Sequence, residues 1–256
     1  MSGLVLGKLA FVTGAGSGIG RATCQVLARE GAQVIAADKN LKSAEETIAA
    51  LPITSNNDNS IGHSSVLLDV SDSNSIKSSL NKILGQFKKP PSIVVNCAGI
   101  TRDNFILKLS EEDFDDVINV NLKGTFLLMK IFAQAIIENN VQESSFITIG
   151  SVVAKHGNMG QANYCASKAG VDIVTKTAAR EFSKYGIRCN SVLPGFIATP
   201  MTDIVPEKVK EKMMPLISCR RMGCPEEVAE MITFLASSKS SYVNGASIDI
   251  NGGMSI

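Results

Sequence analysis

Apolar segments of strand length alternate with amphipathic helical patterns along the whole chain of 256 residues. The candidate strands, rich in Val, Ile, Leu and Ala, are residues 8–13, 33–38, 65–70, 92–96, 144–149, 187–193 and 247–250. Nearly continuous apolar strands of this kind are typical of a parallel sheet that helices cover on both faces. We therefore expect an α/β fold over residues 1–256, a single domain with a doubly wound, parallel, seven-stranded sheet.

Helix signals and two unusual connections accompany these strands. Residues 163–184 and 226–237 have amphipathic helical patterns, and Pro225 suits the first position of the second helix. Residues 52–64, rich in Asn and Ser, are predicted to form a surface connection. Residues 195–223 are long for a connection within a compact domain, so we expect a lid or substrate loop there.

A glycine-rich segment, TGAGSGIG, follows the first strand directly and leads into a helix. Glycines there permit a tight bend and a close approach of the backbone to a pyrophosphate, which the amide groups of the helix N-terminus attract. The pattern predicts a dinucleotide cradle and with it a Rossmann fold; a glycine-rich turn without a ligand is the alternative. The candidate cofactor contacts in this turn are Gly14, Gly16, Ser17, Gly18, Ile19 and Gly20.

Asp38 ends the second candidate strand. A carboxylate there accepts hydrogen bonds from the adenosine ribose hydroxyls and repels a 2′-phosphate. Because Ser17 rather than a cation stands in the turn, the sequence favours NAD over NADP, although Lys39 is placed to compensate partly for that repulsion. The ends of the third and fourth strands are expected to add the cofactor contacts Asp69, Val70, Asn96, Ala98 and Gly99.

Tyr164 and Lys168 have the spacing that places two side chains on one face of a helix. A phenol titrates at about pH 10 in water, and a neighbouring ammonium is expected to lower its pKa towards neutrality. Ser151, after the fifth strand, is placed to bond the same substrate oxygen as the phenol, and Asn121 to hold a water that relays protons from Lys168. A Tyr–Lys pair alone is often a coincidence of the helix surface, but its combination with the cradle favours catalysis.

These motifs resemble the short-chain dehydrogenase/reductase family over essentially the whole chain. The matching segments are TGAGSGIG, NCAG, NVNLKG, YCASK and PGFIATPM, together with Ser151. The resemblance implies that Ser151, Tyr164 and Lys168 are catalytic, with Asn121 as a fourth member. It implies that Tyr164 and Lys168 also contact the cofactor, and that the nicotinamide is wrapped by Pro194, Gly195, Ile197 and Thr199.

Within the family, the stretches PPSIVVNCAGIT and RCNSVLPGFIATPMT resemble hydroxysteroid dehydrogenases that also serve mitochondrial fatty acid synthesis as 3-oxoacyl-[acyl-carrier-protein] reductases. This implies a steroid or acyl thioester substrate, and a homotetramer or a heterotetramer with a second, NADPH-using reductase. It also implies acyl carrier protein as a partner and the mitochondrial matrix as the compartment; since no targeting signal is visible, the cytoplasm is the other expectation. A partner-dependent reductase subunit and a nucleotide-binding module without turnover are the competing hypotheses.

The predicted lid is rich in apolar, adaptable side chains that suit a steroid or an acyl chain. The expected substrate contacts are Ser151, Tyr164, His156, Phe196 and Met201. Arg220 and Arg221 either receive an acidic carrier protein or a coenzyme A phosphate, or are solvated or paired within the protein.

Composition excludes several other classes of function. The formal net charge of +1 and the absence of Trp argue against a nucleic-acid or charged-membrane binder. No apolar run approaches the roughly 20 residues of a membrane span. Of the six cysteines none forms a C-x-x-C pair, and Cys219 and Cys224 lack further zinc ligands, so we expect reduced thiols and no metal.

Overall fold

The computed structural model describes residues 3–52 and 62–254, and its seven strands form one sheet in which every neighbouring pair is parallel. The strands are β1 Leu9–Thr13, β2 Gln33–Asp38, β3 Ser64–Leu67, β4 Ile93–Asn96, β5 Ser144–Ile149, β6 Ile187–Pro194 and β7 Ser247–Ile250. Their order across the sheet is β3-β2-β1-β4-β5-β6-β7. The predicted doubly wound α/β sheet is thereby confirmed, and its winding reverses between β1 and β4, where ligands bind in such folds.

Ten α-helices in the described residues surround the sheet. They are α1 Gly18–Arg29, α2 Leu41–Ala49, α3 Ser73–Phe87, α4 Glu111–Val117, α5 Gly124–Glu138, α6 Val153–His156, α7 Ala162–Phe182, α8 Pro200–Asp203, α9 Glu207–Met213 and α10 Pro225–Ala236. Helices α3, α5 and α7 bury apolar side chains on one face of the sheet, and α1, α2 and α10 on the other. Each fully buried large side chain contributes about 1.5–3 kcal/mol, so this two-sided burial holds the strands in place.

The third strand is shorter than the sequence predicts. It ends at Leu67 rather than at residue 70. The carboxylate of Asp69 accepts hydrogen bonds from the amide and the hydroxyl of Ser71, at 2.9 and 2.6 Å, and this local turn competes with the sheet. Asp69 and Val70 therefore lie in the turn beyond β3. Residues 53–61 of the predicted surface connection lie outside the described residues.

One helical stretch is unusually long and apolar. α4, a π-helical turn at Ile118–Lys123 and α5 run on as a stretch of 28 residues, Glu111–Glu138. Among the described residues it is the one helix long and apolar enough to cross a membrane by length and composition alone, although its sequence contains no uninterrupted apolar run of that length. Leu128 and Phe132 are buried in the core between α5 and the sheet. Half of its most apolar window is buried in this way, as in a core helix.

The predicted lid follows β6, and its two ends lie side by side. The amide of Ala198 donates to the carbonyl of Gly223 at 2.9 Å, and the amide of Gly223 donates to the carbonyl of Phe196 at 3.0 Å. These bonds join the two ends of the segment, and α8 and α9 lie between them. The lid is therefore anchored at its base beside the carboxyl end of the sheet.

Candidate active site

A cavity of about 730 Å³ opens where the carboxyl ends of β1, β2 and β4 meet α7 and the lid. Its volume lies within the range of roughly 300–1,000 Å³ that is usual for small-molecule and cofactor sites. The predicted cofactor residues in its wall are Gly14, Ser17, Gly18, Ile19, Gly20, Asp38, Asp69, Val70, Ala98, Gly99, Tyr164, Lys168 and Thr199. The predicted contacts that do not line it are Gly16, Asn96, Pro194, Gly195 and Ile197. The sheet topology thus collects most of the predicted cofactor residues in one crevice.

The turn between β1 and α1 is shaped for a close backbone approach. Gly14 has a φ of +62°, and a Cβ there would lie 2.9 Å from the backbone of Ala98. Gly18 has a φ of +49°, and its Cβ would lie 3.3 Å from Thr199. Both positions require glycine, and the turn directs the N-terminus of the 12-residue α1 to the cavity. The free amides of that terminus suit a pyrophosphate, so the turn fits a dinucleotide.

Asp38 is held at the far end of the cleft by backbone amides. Its Oδ2 accepts a hydrogen bond from the amide of Gly16 at 2.9 Å, and its Oδ1 accepts one from the amide of Asn40 at 2.8 Å. Gly16 therefore fixes the carboxylate from behind rather than facing the cavity. Lys39 forms an ion pair with Asp69, with Nζ 2.9 Å from Oδ2. The Lys39 ammonium, which the sequence places next to the expected ribose site, is thus already paired with the Asp69 carboxylate.

The side chain of Asn96, a predicted cofactor residue, does not reach the wall of the large cavity. Its side chain is buried and, with Thr13 and Thr125, lines a gap too small to admit a water. Both polar atoms of its amide group lack a hydrogen-bond partner within the described chain. The reason is the alternation of strands: the last residue of β4 directs its side chain into the core, and the wall of the cleft begins at the next residues.

The predicted catalytic residues meet beside this cleft. The Nζ of Lys168 lies 5.6 Å from the centroid of the Tyr164 ring and donates a hydrogen bond to the carbonyl of Ile149 at 2.7 Å. Ser151 follows β5, and its hydroxyl is near enough to the Tyr164 phenol to lower the pKa of that phenol. Both Lys168 and Ser151 are buried. The end of β5 and the first turns of α7 thereby bring a hydroxyl, a phenol and an ammonium to one place.

The direction of the phenol's pKa shift contradicts the sequence-based expectation. Burial raises the pKa of Tyr164 to about 12, and the nearby Ser151 hydroxyl lowers it by a smaller amount. Burial also lowers the pKa of Lys168 to about 8. The ammonium lies over the ring and bonds the Ile149 carbonyl, so the cost of desolvating a phenolate outweighs its attraction. The chain alone therefore favours the neutral phenol, the form that donates a proton.

Asn121, predicted to hold a water, also makes three side-chain hydrogen bonds within the chain. Its Oδ1 accepts from the amide of Ile100 at 2.8 Å, and its Nδ2 donates to the carbonyl of Ile100 at 3.0 Å and to the hydroxyl of Ser167 at 3.1 Å. These bonds use both hydrogens of the Asn121 amide and one of the two acceptor positions on Oδ1. The π-helical turn at Ile118–Lys123 gives Asn121 this reach, as such turns often do at functional sites. Its side chain positions the strand end and the catalytic helix.

The predicted substrate contacts separate into two groups. Met201 on α8 lines the cavity. Phe196 packs with Val152, Ile217 and neighbouring methionines in an apolar cluster beneath the lid, away from the cavity wall. His156 is exposed at the end of α6. Of these three predictions the structure places only Met201 in the cleft, because the chain reverses after Phe196 to form the base of the lid.

The two lid arginines have partners within the protein. Arg221 forms a bidentate ion pair with Glu227, with nitrogen–oxygen distances of 2.8 and 2.6 Å. Arg220 donates to the carbonyl of Pro215 at 2.8 Å. Both arginines therefore fit pairing within the protein better than they fit a preformed site for a phosphate. Elsewhere, all six cysteines are free thiols, and residues 3–52 and 62–254 hold no group of three or more His, Cys, Asp or Glu suited to a metal.

Several residues of the site were not predicted. Arg102, Asp116, Asn119 and Lys123 contribute to the cavity wall. Arg102 belongs to the segment ITRDN, which directly follows NCAG. A segment that follows the carboxyl end of β4 must pass the mouth of the crevice. The position of Arg102 in the sequence could therefore have identified it as a residue of the site.

Comparisons with known proteins agree with this geometry. A family model described as enoyl-(acyl carrier protein) reductase matches residues 14–255. A (3R)-3-hydroxyacyl-CoA dehydrogenase of Rattus norvegicus is 52% identical over 248 residues, which cover 96% of this chain and 95% of the relative. A 3-oxoacyl-[acyl-carrier-protein] reductase FabG of Thermotoga maritima is 44% identical over 253 residues, 98% of each chain. A solved structure of a ribose-5-phosphate isomerase from Brucella melitensis 16M superimposes with a TM-score of 0.88 at 30% identity, covering 99% of this chain and 95% of that one.

Proposed function

This chain belongs to the short-chain dehydrogenase/reductase family, and on that premise we propose that it is an NAD-dependent oxidoreductase that interconverts 3-hydroxyacyl and 3-oxoacyl thioesters. The observation that carries the proposal is the meeting of Ser151, Tyr164 and Lys168 beside a dinucleotide-sized cleft. The printed activities of relatives at 52% and 44% identity support the acyl thioester as substrate.

In this proposal the chain's own residues move the proton and orient the reactants. A bound nicotinamide supplies the carbon that gives or takes the hydride. The Tyr164 phenol donates its proton to the ketone oxygen in reduction, and the phenolate accepts it in oxidation. Ser151 donates a hydrogen bond to the same oxygen and stabilises its developing charge. Lys168, whose pKa is lowered to about 8 by burial, stands beside the phenol to bind ribose hydroxyls.

The preference for NAD rests on Asp38 and Lys39. The Asp38 carboxylate is fixed by two backbone amides at the position that meets the adenosine ribose. Lys39, the neighbouring cation, is paired with Asp69. A 2′-phosphate would therefore meet a negative charge without a free ammonium beside it.

Turnover of the purified protein tests the proposal. NAD⁺ is offered with (3R)- or (3S)-3-hydroxybutyryl-coenzyme A, and NADH with acetoacetyl-coenzyme A; NADP(H) replaces NAD(H) in parallel. We expect turnover with NAD(H) and with the 3R substrate, the configuration in the name of the mammalian relatives. Absence of turnover with either thioester, while NADH binds, contradicts the substrate assignment.

A second substrate class, 17β-hydroxysteroids, is favoured by the surface of the lid. Met201, Ile204, Val209 and Leu216 are all exposed there. An adaptable apolar surface of this kind suits estradiol or testosterone as well as an acyl chain. Oxidation of estradiol to estrone by NAD⁺, with a kcat/KM comparable to that for the thioester, would establish it.

We further propose a tetramer in the mitochondrial matrix, either of identical chains or with a second, NADPH-using reductase, and with acyl carrier protein as the acyl donor. Exposed Phe114, Phe126 and Ile173 on α4, α5 and α7 support an assembly, since large apolar side chains at adjacent helices are typical of interfaces. Light scattering of the chain alone and with the candidate partner tests the assembly. Cell fractionation tests the compartment.

A further inference from the structure

The glycine-rich turn contains two residues that do not face the cleft. Of residues 13–20, which the structure describes in full, all but Ala15 and Gly16 line the large cavity. Ala15 is fully buried, and the amide of Gly16 donates to Oδ2 of Asp38 at 2.9 Å. Because buried backbone carbonyls require hydrogen-bond donors, the carbonyls of this part of the turn depend on side chains from neighbouring helices.

Thr47 on α2 holds the first of these carbonyls. Its hydroxyl donates to the carbonyl of Ala15 at 2.8 Å and shares its proton with the carbonyl of Ser43, one turn earlier on α2, at 3.0 Å. The side chain of Thr47 is buried. Removal of the hydroxyl would therefore leave the Ala15 carbonyl without this donor at a place that water does not reach. Thr47 is thus a buried link between α2 and the turn.

Arg21, near the start of α1, holds the second carbonyl. Its Nη2 donates to the carbonyl of Gly16, and its Nε donates to the hydroxyl of Thr47 at 3.1 Å. The carboxylate of Glu46 lies farther away, with Oε2 3.9 Å from Nη2, so the two hydrogen bonds are the closer contacts of the guanidinium. The planar guanidinium carries several donors in a fixed arrangement, which lets it bond both groups at once. Arg21 and Thr47 therefore form one network behind the turn.

The bond to Arg21 sets the orientation of the peptide group between Gly16 and Ser17. In a trans peptide group the carbonyl and the following amide point in opposite directions. Because the Gly16 carbonyl points to Arg21, the Ser17 amide points away from Arg21, and Ser17 lines the cavity. We propose that Arg21 and Thr47 are positioning residues of the cofactor site, which hold the turn so that the Ser17 amide meets the pyrophosphate. This inference rests on the proposed function in taking a dinucleotide as the ligand of the cleft.

Binding of ADP-ribose and of adenosine tests the inference without turnover. ADP-ribose contains the pyrophosphate, whereas adenosine has only the base and the ribose that Asp38 is expected to meet. Thr47→Val keeps the shape of the side chain and removes its hydroxyl. Arg21→Met removes the guanidinium from a side chain that is 40% exposed, so the core is not altered. Calorimetry measures the Kd of ADP-ribose, and displacement of NADH, followed by its fluorescence, measures the Kd of adenosine.

The two ligands are expected to respond differently to these variants. In Thr47→Val and in Arg21→Met we expect the Kd of ADP-ribose to rise about fivefold, the usual effect of losing one hydrogen bond. The Kd of adenosine is expected to change by less than about twofold, because the amide of Asn40 still holds the Asp38 carboxylate. An unchanged Kd of ADP-ribose in either variant, or an equal rise for both ligands, overturns the inference.

Three control variants separate positioning from a loss of stability. Thr47→Ser retains the hydroxyl and restores the wild-type Kd of ADP-ribose. Thr175→Val removes another buried hydroxyl, which donates to the carbonyl of Val171 at 2.7 Å, and Arg29→Met removes an exposed guanidinium from the last turn of α1. Both are expected to leave the Kd of ADP-ribose unchanged, whatever their effect on Tm. A rise in Thr175→Val equal to that in Thr47→Val contradicts a specific role of the network.

The wild-type protein distinguishes a failure of this inference from a failure of the proposed function. If the wild type binds ADP-ribose and the variants bind it equally well, the positioning role is wrong and the dinucleotide site stands. If the wild type binds neither NADH nor ADP-ribose, the site and the inference are both wrong. Lack of turnover with either thioester refutes the proposed substrate and leaves the binding result unaffected.

Discussion

The hydroxyl of Tyr164 is the group that moves the proton in the proposed reaction, and Tyr164→Phe removes it while keeping the ring. We expect kcat to fall about 10³-fold, because general acid–base groups contribute roughly 10²–10⁴-fold. The affinity for NADH is expected to survive, since the cradle, Asp38 and Lys168 are unchanged. Steady-state kinetics and calorimetry measure the two quantities. Tyr185→Phe, at an exposed tyrosine, is the control, and near-normal turnover of Tyr164→Phe contradicts the assignment.

The carboxylate of Asp38 is expected to set the choice of cofactor. Asp38→Ala removes the acceptor for the ribose hydroxyls, and hydrogen bonds to a charged group contribute about 1.5–3 kcal/mol. We therefore predict a loss of NAD affinity of about 10-fold or more, with a smaller loss or a gain for NADP. Calorimetric titration with each dinucleotide gives the ratio. Lys39→Ala serves as the control, and an equal loss for both dinucleotides in Asp38→Ala would show that Asp38 only supports the turn.

At the scale of single residues, the sequence predicted which side chains meet better than it predicted their chemistry. The spacing of Tyr164 and Lys168 placed them on one helix face, as the structure confirms. The pKa of Tyr164 depends on burial and on the carbonyl of Ile149 that engages Lys168, and neither is visible in local spacing. Asn121 was likewise located, but its two partners, Ile100 and Ser167, come from distant parts of the chain.

At the scale of secondary-structure elements, the hydrogen bonds of His63 hold the edge of the sheet that β2 and β3 form. Nδ1 of His63 accepts a hydrogen bond from the amide of Val34 at 3.0 Å, so the ring proton is on Nε2, which donates to the carbonyl of Pro52 at 3.0 Å. Burial lowers the pKa of His63 in the folded chain, against a raising by the bond to Pro52. The unfolded chain therefore binds the proton more readily. The stabilisation is complete above the unfolded pKa of about 6.5 and is lost as the pH falls towards the lower folded pKa.

We accordingly predict that the free energy of unfolding decreases between about pH 7.5 and pH 5.5, and that His63→Gln lessens this decrease. Urea unfolding at several pH values measures it. His156→Gln, at the exposed histidine, keeps the wild-type dependence. If His63→Gln follows the wild type throughout, the histidine does not couple protonation to this edge of the sheet.

Strand positions were predictable from apolar runs because both faces of the sheet are covered, and β2, β5 and β7 have their predicted bounds. β3 was predicted too long, since the turn made by Asp69 and Ser71 competes with pairing at a point where the apolar pattern continues. Helices α8 and α9 of the lid have four and seven residues, too few to show a helical period. Their place in the fold comes from the bonds that close the base of the lid.

On the scale of the whole molecule, strand order determines where the chemistry collects. Because all seven strands are parallel, their carboxyl ends share one edge, and Gly14, Asp38 and Ser151 reach it from three different strands. That arrangement followed from alternation of strands and helices alone. The assembly and the partner, unlike the fold, could not be predicted from a local sequence pattern, because they depend on the surfaces of other chains.

The cleft is built from both halves of the sheet, so a dinucleotide bound there is expected to stabilise the entire fold. A ligand at about 100 times its Kd that binds only the folded state adds about 2.7 kcal/mol. For a chain of this size that corresponds to a rise in Tm of about 5–10 °C. Differential scanning fluorimetry with NAD and NADP at equal concentration measures the effect, and we expect the larger rise with NAD. Asp38→Ala should lose most of the NAD-induced rise, whereas Lys39→Ala should keep it. If neither dinucleotide raises the Tm of the wild type, the glycine-rich turn is a turn without a ligand, and the oxidoreductase proposal fails with it.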